Sequence, residues 1–156
     1  MRVIKAGQAL DIKACRIAIV VSLFNAFITD RLRFGCVQQL INQGVAEEHL
    51  TIVEVPGAVE LPLTSKLLAQ TKKYDVIIML GSVIRGDTDH YDYVCQQVSY
   101  GCQHIALENG LPVIFGVLTT DNEEQALARV GGLHGHKGVD AADAALTMLD
   151  IIKQIR

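Results

Sequence analysis

The sequence lacks several features by which broad classes of protein are recognised. It has no tryptophan, and phenylalanine and tyrosine together make up only 5% of its 156 residues. The longest nearly apolar run covers residues 17–24, far short of the roughly 20 residues that a membrane-spanning helix needs. The first residues show neither the apolar core nor the small-residue cleavage site of a signal peptide. We therefore expect a cytoplasmic protein.

Positive charge is also in short supply, because 14 lysines and arginines face 17 aspartates and glutamates, for a net charge of -3. Nucleic acid selects basic surfaces, so this balance argues against nucleic acid as the partner. Positive charge recurs locally at Arg85, Arg129 and Lys137, which suits a small anion better than a polymer.

The four cysteines include no Cys-x-x-Cys pair, so the common zinc and redox motifs are absent. Cys95 and Cys102 lie on one predicted helix, about 10 Å apart along its axis, which is too far for a disulfide. We expect core thiols. His134 and His136 are weak candidates for metal ligands, because two histidines in a glycine-rich segment are a poor indication of a ligand set.

What the sequence does contain is a high apolar content, since 50% of the residues are hydrophobic and only 20% are charged. For a small chain this balance indicates that part of the surface is covered in an assembly. The length fits one domain that spans residues 1–156.

Apolar, β-branched segments alternate with amphipathic ones along the chain. Continuous apolar strands separated by helices are typical of a parallel sheet covered on both faces, so we predict an α/β fold. Residues 1–10 stand apart from this alternation, and we expect them to add a strand to the sheet of a neighbouring subunit. The predicted strands are residues 15–24, 50–55, 75–83 and 112–118.

The helices are predicted from apolar residues that recur at helical spacing. The first ends near Gly44, the second spans residues 58–70, and a capping box of Asp121 and Glu124 starts a short helix at Asn122. The predicted buried faces are Ile28, Leu32, Cys36 and Leu40 in the first helix, Val94, Val98, Cys102 and Ile105 in the third, and Ala141, Ala142, Ala145, Leu149 and Ile152 in the last, which begins near Val139.

Residues 83–94, VIRGDTDHYDYV, leave the third strand and at once combine a turn, several charges and a histidine. In an open α/β sheet, ligands bind beyond the carboxyl ends of the strands. A loop at Gly86, Asp87 and Thr88 that feeds a helix near Asp89 offers free backbone N–H groups to a phosphate. The segment is neither a Walker loop nor a dinucleotide fingerprint. The alternative is an ordinary polar loop in which Thr88 or Asp89 caps the helix.

Other residues near the strand ends each allow a functional and an ordinary interpretation. His90 could transfer protons near neutral pH or be a surface histidine. Phe24 could stack on a planar ligand or belong to the core. Glu60 could accept hydrogen bonds from ligand hydroxyls or merely face the positive end of a helix. Arg129 and Lys137, on either side of the glycine-rich segment, could bind a phosphate or be solvated surface charges.

Four motifs in this order, VPGAVELP, GSVIRGDTDHYDYV, PVIFGVLTTDNEEQALAR and HKGVDAADAAL, resemble those of the lumazine synthase family of riboflavin biosynthesis. The resemblance runs essentially end to end. It implies a flavodoxin-like three-layer α/β/α sandwich around a four-stranded parallel sheet. It also implies condensation of 5-amino-6-(D-ribitylamino)uracil with 3,4-dihydroxy-2-butanone 4-phosphate to give 6,7-dimethyl-8-ribityllumazine, phosphate and water.

The resemblance further implies that the reaction needs no metal and no organic cofactor. It implies active sites between adjacent subunits of a homopentamer, which in many members of the family is the unit of a sixty-subunit icosahedral shell. Riboflavin synthase is a further candidate partner. The sequence leaves pentamer, decamer and shell open.

By motif position, the resemblance implies roles for individual residues. His90 is the expected proton-transfer residue, and Phe24 is expected to stack on the pyrimidine ring. Phe115 and Lys137 are expected to close the site from the facing subunit or from its far side. The implied phosphate site is Gly86, Asp87, Thr88 and Arg129. The implied substrate-binding residues are Phe24, Asn25, Ala58, Glu60, Val83, Ile84, Phe115 and Lys137.

Two positions depart from the usual family pattern. Leu23 stands where the family usually has arginine, and His136 stands where it usually has asparagine. Both bear on affinity more than on the type of reaction. A weakly catalytic protein that binds lumazine or flavin, or that forms a storage shell, is therefore the rival function. A signalling receiver domain fits poorly, because its early strands would need to end in an acidic cluster.

Overall fold

The centre of the fold is a parallel sheet of four strands. The computed structural model describes residues 1–7 and 10–156. The strands are β1 (Ile17–Ser22), β2 (Leu50–Val55), β3 (Val76–Ile84) and β4 (Val113–Thr120). They pair in the order β2-β1-β3-β4, which leaves β2 and β4 at the two edges. Valine and isoleucine dominate the central strands because branched side chains pack well on a pleated surface that is buried on both faces.

Helices connect the strands and form the outer layers. Among the residues described, none of these helices combines the length and the hydropathy needed to cross a membrane. The helices are α1 (Ala26–Gln43), α2 (Leu61–Gln70), α3 (His90–Asn109), α4 (Glu123–Leu127) and α5 (Lys137–Ile155), with short 3-10 turns at Ile12–Ala14, Glu47–His49 and Ala58–Glu60. A small antiparallel hairpin, β5 (Val130–Gly132) and β6 (Gly135–His136), precedes α5.

The two faces of the sheet carry two separate apolar cores. Ile17, Ile19 and Val21 of β1 pack on one face with the buried sides of α1 and α5. Ala18 and Val20 point to the other face, where they meet α2 and α3. This alternation follows from the two-residue period of a strand. The structure therefore confirms the three-layer α/β/α, flavodoxin-like architecture.

The predicted helical faces are largely confirmed. Every residue of the stripes in the first and third helices is buried. In the last helix Ile152 is only partly buried, whereas the other four residues of its stripe are buried. Gly44 ends α1 as expected, with a φ of 108° that favours glycine and a backbone N–H that donates to the carbonyl of Leu40.

Several predicted boundaries are wrong by one or more residues. The first strand is shorter than residues 15–24, because only Ile17–Ser22 pairs with β2 and only Ile17–Val21 also pairs with β3. The third and fourth strands each run further than predicted, since β3 and β4 stay in register up to the pair Ile84 and Thr120. The hairpin was not predicted at all, because we interpreted its glycines only as a break before the last helix.

Three helix starts also differ from prediction. The second helix was predicted from residue 58, but Ala58–Glu60 forms a 3-10 turn and α2 begins at Leu61. The cap of α4 is Asn122, whose side chain accepts from the N–H of Gln125, so the helix begins one residue later than the predicted box of Asp121 and Glu124 implied. The last helix begins at Lys137 and not near Val139.

The predicted exchange of residues 1–10 between subunits stays a prediction, and part of that segment, residues 8 and 9, lies outside the described residues. Residues 1–7 form no strand. They run beside α5, where the Gln154 side chain donates to the Lys5 carbonyl at 2.8 Å and the Gly7 N–H donates to the Asp150 carboxylate.

The cysteines are all free, as expected, and Cys15, Cys36 and Cys102 are buried while Cys95 is half-buried. Burial raises the pKa of Cys36 to about 12 and that of Cys102 to about 11. Burial, together with the nearby carboxylates of Asp75 and Asp11, raises the pKa of Cys15 to about 11. The fold therefore keeps these thiols protonated in the pH range where a free thiol ionises.

We predict that Cys36 and Cys102 resist alkylation by iodoacetamide at pH 8 while the chain is folded, and that all four cysteines react in denaturant. Above about pH 8.5 the cysteine thiols ionise in the unfolded chain, whereas the raised pKa keeps the buried thiols protonated in the folded chain. The free energy of unfolding should therefore fall from about pH 8.5 towards pH 11. Mass spectrometry of alkylated peptides measures the first effect. Equal labelling rates for Cys36 in folded and denatured protein would contradict the buried thiol.

Candidate active site

The loops after β1, β2 and β3 enclose a cavity of about 370 Å³ at the carboxyl edge of the sheet. We call it the sheet-end cavity. This is the place where open α/β sheets bind ligands. Its lining consists of Phe24, Asn25, Gly57, Ala58, Val59, Glu60, Ser82, Val83, Ile84, Gly86, Thr88, His90, Tyr91 and Val94.

Phe24 lies at the mouth of this cavity and not in the core. Its side chain is 71% exposed, which decides against the interpretation as a core phenylalanine. The backbone beneath it is held in place, because the N–H of Leu23 donates to the Val55 carbonyl and that of Phe24 donates to the Pro56 carbonyl, at 2.8 and 3.0 Å. An exposed ring on a fixed backbone can stack on a flat ligand.

Asn25 joins the first strand end to the third. Its backbone is left-handed, with φ of 60° and ψ of 47°, a conformation that asparagine tolerates better than most residues. Its side-chain amide donates to the Ser82 carbonyl at 2.8 Å. Its own carbonyl accepts from the N–H groups of Ile28 and Thr29 and so starts α1. One residue therefore sets the positions of Phe24, β3 and the helix.

Glu60 is exposed and lines the cavity from the loop after β2. One of its carboxylate oxygens accepts from the N–H of Gly57 at 2.9 Å. This bond orients the carboxylate and leaves the other oxygen able to accept from a ligand hydroxyl.

Residues 86–89 form an exposed loop between β3 and α3. Among the described residues, no group accepts from the N–H groups of Gly86, Asp87 and Thr88. A Cβ at Gly86 would meet no atom within 4 Å, so the backbone is open to the cavity. The Thr88 hydroxyl accepts from the N–H of His90 at 3.3 Å, so Thr88 is engaged at the start of α3 as well as available to a ligand. Free N–H groups at a helix N-terminus are a site for an anion.

Arg85 is not available to an anion in the way its sequence position suggested. Its Nε donates to Asp121 at 3.1 Å, and its guanidinium lies 3.6 Å from the Asp92 carboxylate and 4.2 Å from the centre of the Tyr91 ring. Each exposed pair contributes little to stability by itself. Together these contacts connect the ends of β3 and β4 to the first turn of α3, the turn that carries His90.

A second cavity, of about 410 Å³, lies along the edge strand β4 and the start of α5. We call it the edge cavity. Phe115, Arg129 and Lys137 line it. Arg129 donates to the Gln125 carbonyl at 2.8 Å, and Lys137 lies 3.4 Å from the Asp140 carboxylate.

The predicted site residues thus fall into two groups within one chain. Those from the first three strand ends meet in the sheet-end cavity, whereas Phe115, Arg129 and Lys137 line the edge cavity. Asp87 belongs to the 86–89 loop but lines neither. The prediction that Arg129 completes the phosphate site of Gly86 and Thr88 is not met within a single chain.

Five lining residues were not among the predicted site residues: Gly57, Val59, Ser82, Tyr91 and Val94. Ser82 and Tyr91 are the two of them with polar side chains. Ser82 is buried, and among the described residues its hydroxyl has no hydrogen-bond partner. A serine at the end of an otherwise apolar strand was the signal that could have revealed it. Tyr91 could not be identified from the sequence, because its contact with Arg85 forms only in the tertiary structure.

Comparison with known proteins agrees with this geometry. Residues 14–153 match the model of the 6,7-dimethyl-8-ribityllumazine synthase family. The chain is also 55% identical, over 140 residues, to proteins named 6,7-dimethyl-8-ribityllumazine synthase from two strains of Coxiella burnetii, CbuG_Q212 and RSA 493 / Nine Mile phase I. In each case the match covers 90% of this chain and 93% of the relative.

The chain belongs to the lumazine synthase family. The matched residues 14–153 include every predicted site residue, from Phe24 to Lys137. Family membership confirms the resemblance read from the motifs and identifies the chain as a member of an enzyme family of the transferase class. It also removes the receiver-domain alternative.

Asn25 offers a direct test of how the lumazine synthase chain holds Phe24. Asn25→Ala removes the bond to Ser82 and places alanine in a left-handed conformation, so we predict a loss of about 1–3 kcal/mol in the free energy of unfolding. Asn25→Gly also lacks the amide but tolerates the backbone, so it should lose less. Urea unfolding followed by circular dichroism measures both. A glycine variant less stable than the alanine variant would contradict the role of the backbone conformation.

Proposed function

We propose that the chain condenses 5-amino-6-(D-ribitylamino)uracil with 3,4-dihydroxy-2-butanone 4-phosphate to 6,7-dimethyl-8-ribityllumazine, phosphate and water. In this proposal residues 1–156 act as one domain. The observation that carries it is that one cavity, in a chain of the lumazine synthase family, is lined by Phe24, Glu60, Gly86, Thr88 and His90. These are a stacking ring, a hydroxyl acceptor, an anion site and a proton carrier, which the two substrates together require.

Each substrate has a matching part of the sheet-end cavity. The pyrimidine ring stacks on Phe24 in the part of the cavity that Val83 and Ile84 line, and the ribityl hydroxyls donate to the free oxygen of Glu60. Ala58 lies beneath the ribityl chain. The phosphate accepts from the open N–H groups of the 86–89 loop. The positive end of α3 favours its charge.

The reaction needs little from the protein beyond position and proton transfer. The ring amine attacks the ketone carbon, and loss of water gives an imine. Loss of a proton from the adjacent hydroxyl-bearing carbon then expels phosphate and leaves an enol, which tautomerises to a new carbonyl. The second amine closes the ring on this carbonyl with loss of a second water. Holding two reactants in line can supply about 7–11 kcal/mol of the barrier reduction. His90, beside both the ring site and the phosphate site, takes and returns the protons.

We further propose that the phosphate site is completed by a neighbouring subunit, which presents its Arg129, Phe115 and Lys137 to the sheet-end cavity. Two observations support this. The two groups of residues line different cavities of one chain, and the edge cavity lies on the outer strand β4. The assembly we propose is a pentamer, with a sixty-subunit shell of pentamers and an association with riboflavin synthase as its larger forms.

Exposed apolar side chains supply surface for such an assembly. On α3, Tyr93, Tyr100 and Leu107 recur every seven residues and are 64%, 72% and 75% exposed. On α2, Leu63 and Leu67 are 66% and 56% exposed one turn apart. Large contiguous apolar surface on a small chain marks an interface. The cytoplasmic location expected from the sequence stays a prediction.

The proposed reaction is tested by mixing the purified protein with both substrates and following lumazine fluorescence together with phosphate release. Formation of both products in equal amounts supports the proposal. Binding of lumazine without turnover would instead favour the storage protein, an alternative motivated by Leu23, whose side chain is 49% exposed beside Phe24.

We predict that His90→Ala slows turnover by between severalfold and about a hundredfold without abolishing it, because alignment of the substrates contributes more than proton transfer. The Michaelis constants should change little, since His90 acts in the chemical steps. His104→Ala, a change to an exposed histidine on the same helix, is the control. A folded, assembled His90→Ala protein with no residual rate would contradict this division of roles.

We predict that Arg129→Ala raises the Michaelis constant for the phosphorylated substrate by the equivalent of about 1.5–3 kcal/mol, the value of a hydrogen bond to a charged group. If Arg129 and His90 come from different subunits, unfolding and reassembling an equal mixture of the two variants restores a full set of residues at about a quarter of the sites. Activity of the mixture no higher than the mean of the separate variants would place both residues in one chain.

A further inference from the structure

His136 occupies a position that histidine rarely takes, because it caps the N-terminus of α5. Its backbone is extended, and its Nδ1 accepts from the N–H groups of Gly138 and Val139 at 3.1 and 3.3 Å. These belong to the first turn of the helix, where N–H groups have no carbonyl partner within the helix. The usual caps are serine, threonine, aspartate and asparagine, whose oxygen accepts at every physiological pH. An imidazole nitrogen accepts only while it carries no proton.

The surroundings hold the imidazole in this orientation. A Cβ at Gly35 of α1 would overlap the ring, so the ring lies directly against the α1 backbone. A Cβ at Gly131 would lie 3.6 Å from its Cδ2, on the hairpin side. A Cβ at Gly138 would overlap the Leu32 carbonyl oxygen, so α1 and α5 also approach closely beside the ring. The imidazole fills the space between α1, the hairpin and α5, and has little room to turn away from the cap.

The cap is connected through the backbone to both cations of the edge cavity. Lys137 is the first residue of α5, directly after His136. Its N–H donates to the Arg129 carbonyl at 2.8 Å, and Val130, which follows Arg129, pairs with His136 across the hairpin. A shift of the α5 start therefore moves Lys137 and Arg129 together.

We propose that His136 is a positioning residue of the phosphate site, which holds Lys137 and Arg129 in the edge cavity while its Nδ1 is unprotonated. This inference rests on the proposed function, in which those two cations bind the phosphorylated substrate. His136 itself does not touch the substrate in this proposal.

The direction of the pH effect follows from the chemistry of the ring. An imidazole, unlike an amide, can take up a proton on its acceptor nitrogen. Protonation of Nδ1 would replace the acceptor by a donor and add positive charge at the positive end of the helix. A proton on Nδ1 therefore removes the cap, whereas an asparagine cap cannot be lost in this way.

Other charged groups lie on the elements around the ring. Among the described residues none of their carboxylates hydrogen-bonds the imidazole, and Lys137 is paired with Asp140. Cys36, next to Gly35, stays a neutral thiol because burial raises its pKa to about 12. The titratable and charged residues within five positions of Gly35 on α1 are Asp30, Arg31, Arg33 and Cys36. Those close to His136 in sequence are His134, Lys137 and Asp140, and Arg129 precedes the hairpin.

The test compares His136→Asn, His136→Ala and the wild type, with each substrate varied in turn. Asparagine keeps an acceptor that does not titrate, and alanine keeps none. At pH 8 we expect His136→Asn to match the wild type. We expect His136→Ala to raise the Michaelis constant for the phosphorylated substrate by between about twofold and thirtyfold, the range for loss of an N-cap. The constant for the ribitylaminouracil and the particle size should not change.

His134→Ala is the matched control, because His134 is an exposed histidine in the same hairpin, two residues away. It should leave both Michaelis constants unchanged. If it changes them as His136→Ala does, the effect belongs to the hairpin in general and the role of the cap is rejected.

The pH profile distinguishes positioning from a merely structural role. As the pH is lowered, the wild type should lose affinity for the phosphorylated substrate more steeply than His136→Asn, because only the imidazole can lose its acceptor to a proton. Coinciding profiles for these two proteins would overturn the proposal, even if His136→Ala fails to fold. If the wild type forms no lumazine, the proposed reaction fails instead, and calorimetric binding of inorganic phosphate to the same variants decides the role of His136.

Discussion

Parallel pairing of β1 with β2 on one side and β3 on the other is the interaction on which the candidate site depends. The hydrogen bonding continues past the end of β1. Leu23 donates to Val55, the last residue of β2, Phe24 donates to Pro56 directly after it, and the Asn25 side chain donates to Ser82 near the end of β3. Loops that are far apart in sequence are thereby held within one hydrogen-bonded frame. An exposed aromatic ring can then serve as a binding surface without being mobile.

The proposed anion site depends on the local arrangement of polar groups and not on the net charge of the chain. The chain is slightly acidic, yet its proposed anion site uses backbone N–H groups that no described residue occupies. Arg85, the cation nearest in sequence, is neutralised by Asp92 and Asp121 and acts as a structural connection. The cations that remain for a phosphate, Arg129 and Lys137, are positioned by the hairpin and by the start of α5.

In the proposed assembly, the position of β4 at the edge of the sheet accounts for a site that is divided between two chains. An edge strand has a neighbour in its own subunit on one side only, so its other side faces outwards. The sheet-end cavity opens elsewhere on the same chain. Association of chains can therefore form a complete site repeatedly, with each chain contributing the sheet-end half to one site and the edge half to the next.

The fold class, the buried faces and the family could be predicted from the sequence, because they depend on local patterns of residues. Continuous apolar strands and four-residue stripes such as Ile28, Leu32, Cys36 and Leu40 determined the α/β class and the buried faces, since burial follows the period of each element. The ordered motifs determined the family. The residues that would form the site were named in the same way, although their roles in the reaction stay predictions.

Other features were decided only by the tertiary structure. Arg85 contacts two carboxylates because the end of β4 and the start of α3 come together at its side chain. No local sequence pattern specifies that approach. Asn122 and not Asp121 caps α4, and an imidazole caps α5, because the side chain that reaches the free N–H groups is selected by the path of the preceding loop. The sequence by itself determined which elements form and which faces they bury. Only the fold decided which polar groups are already satisfied, because hydrogen bonds between distant segments exist only once those segments are packed together.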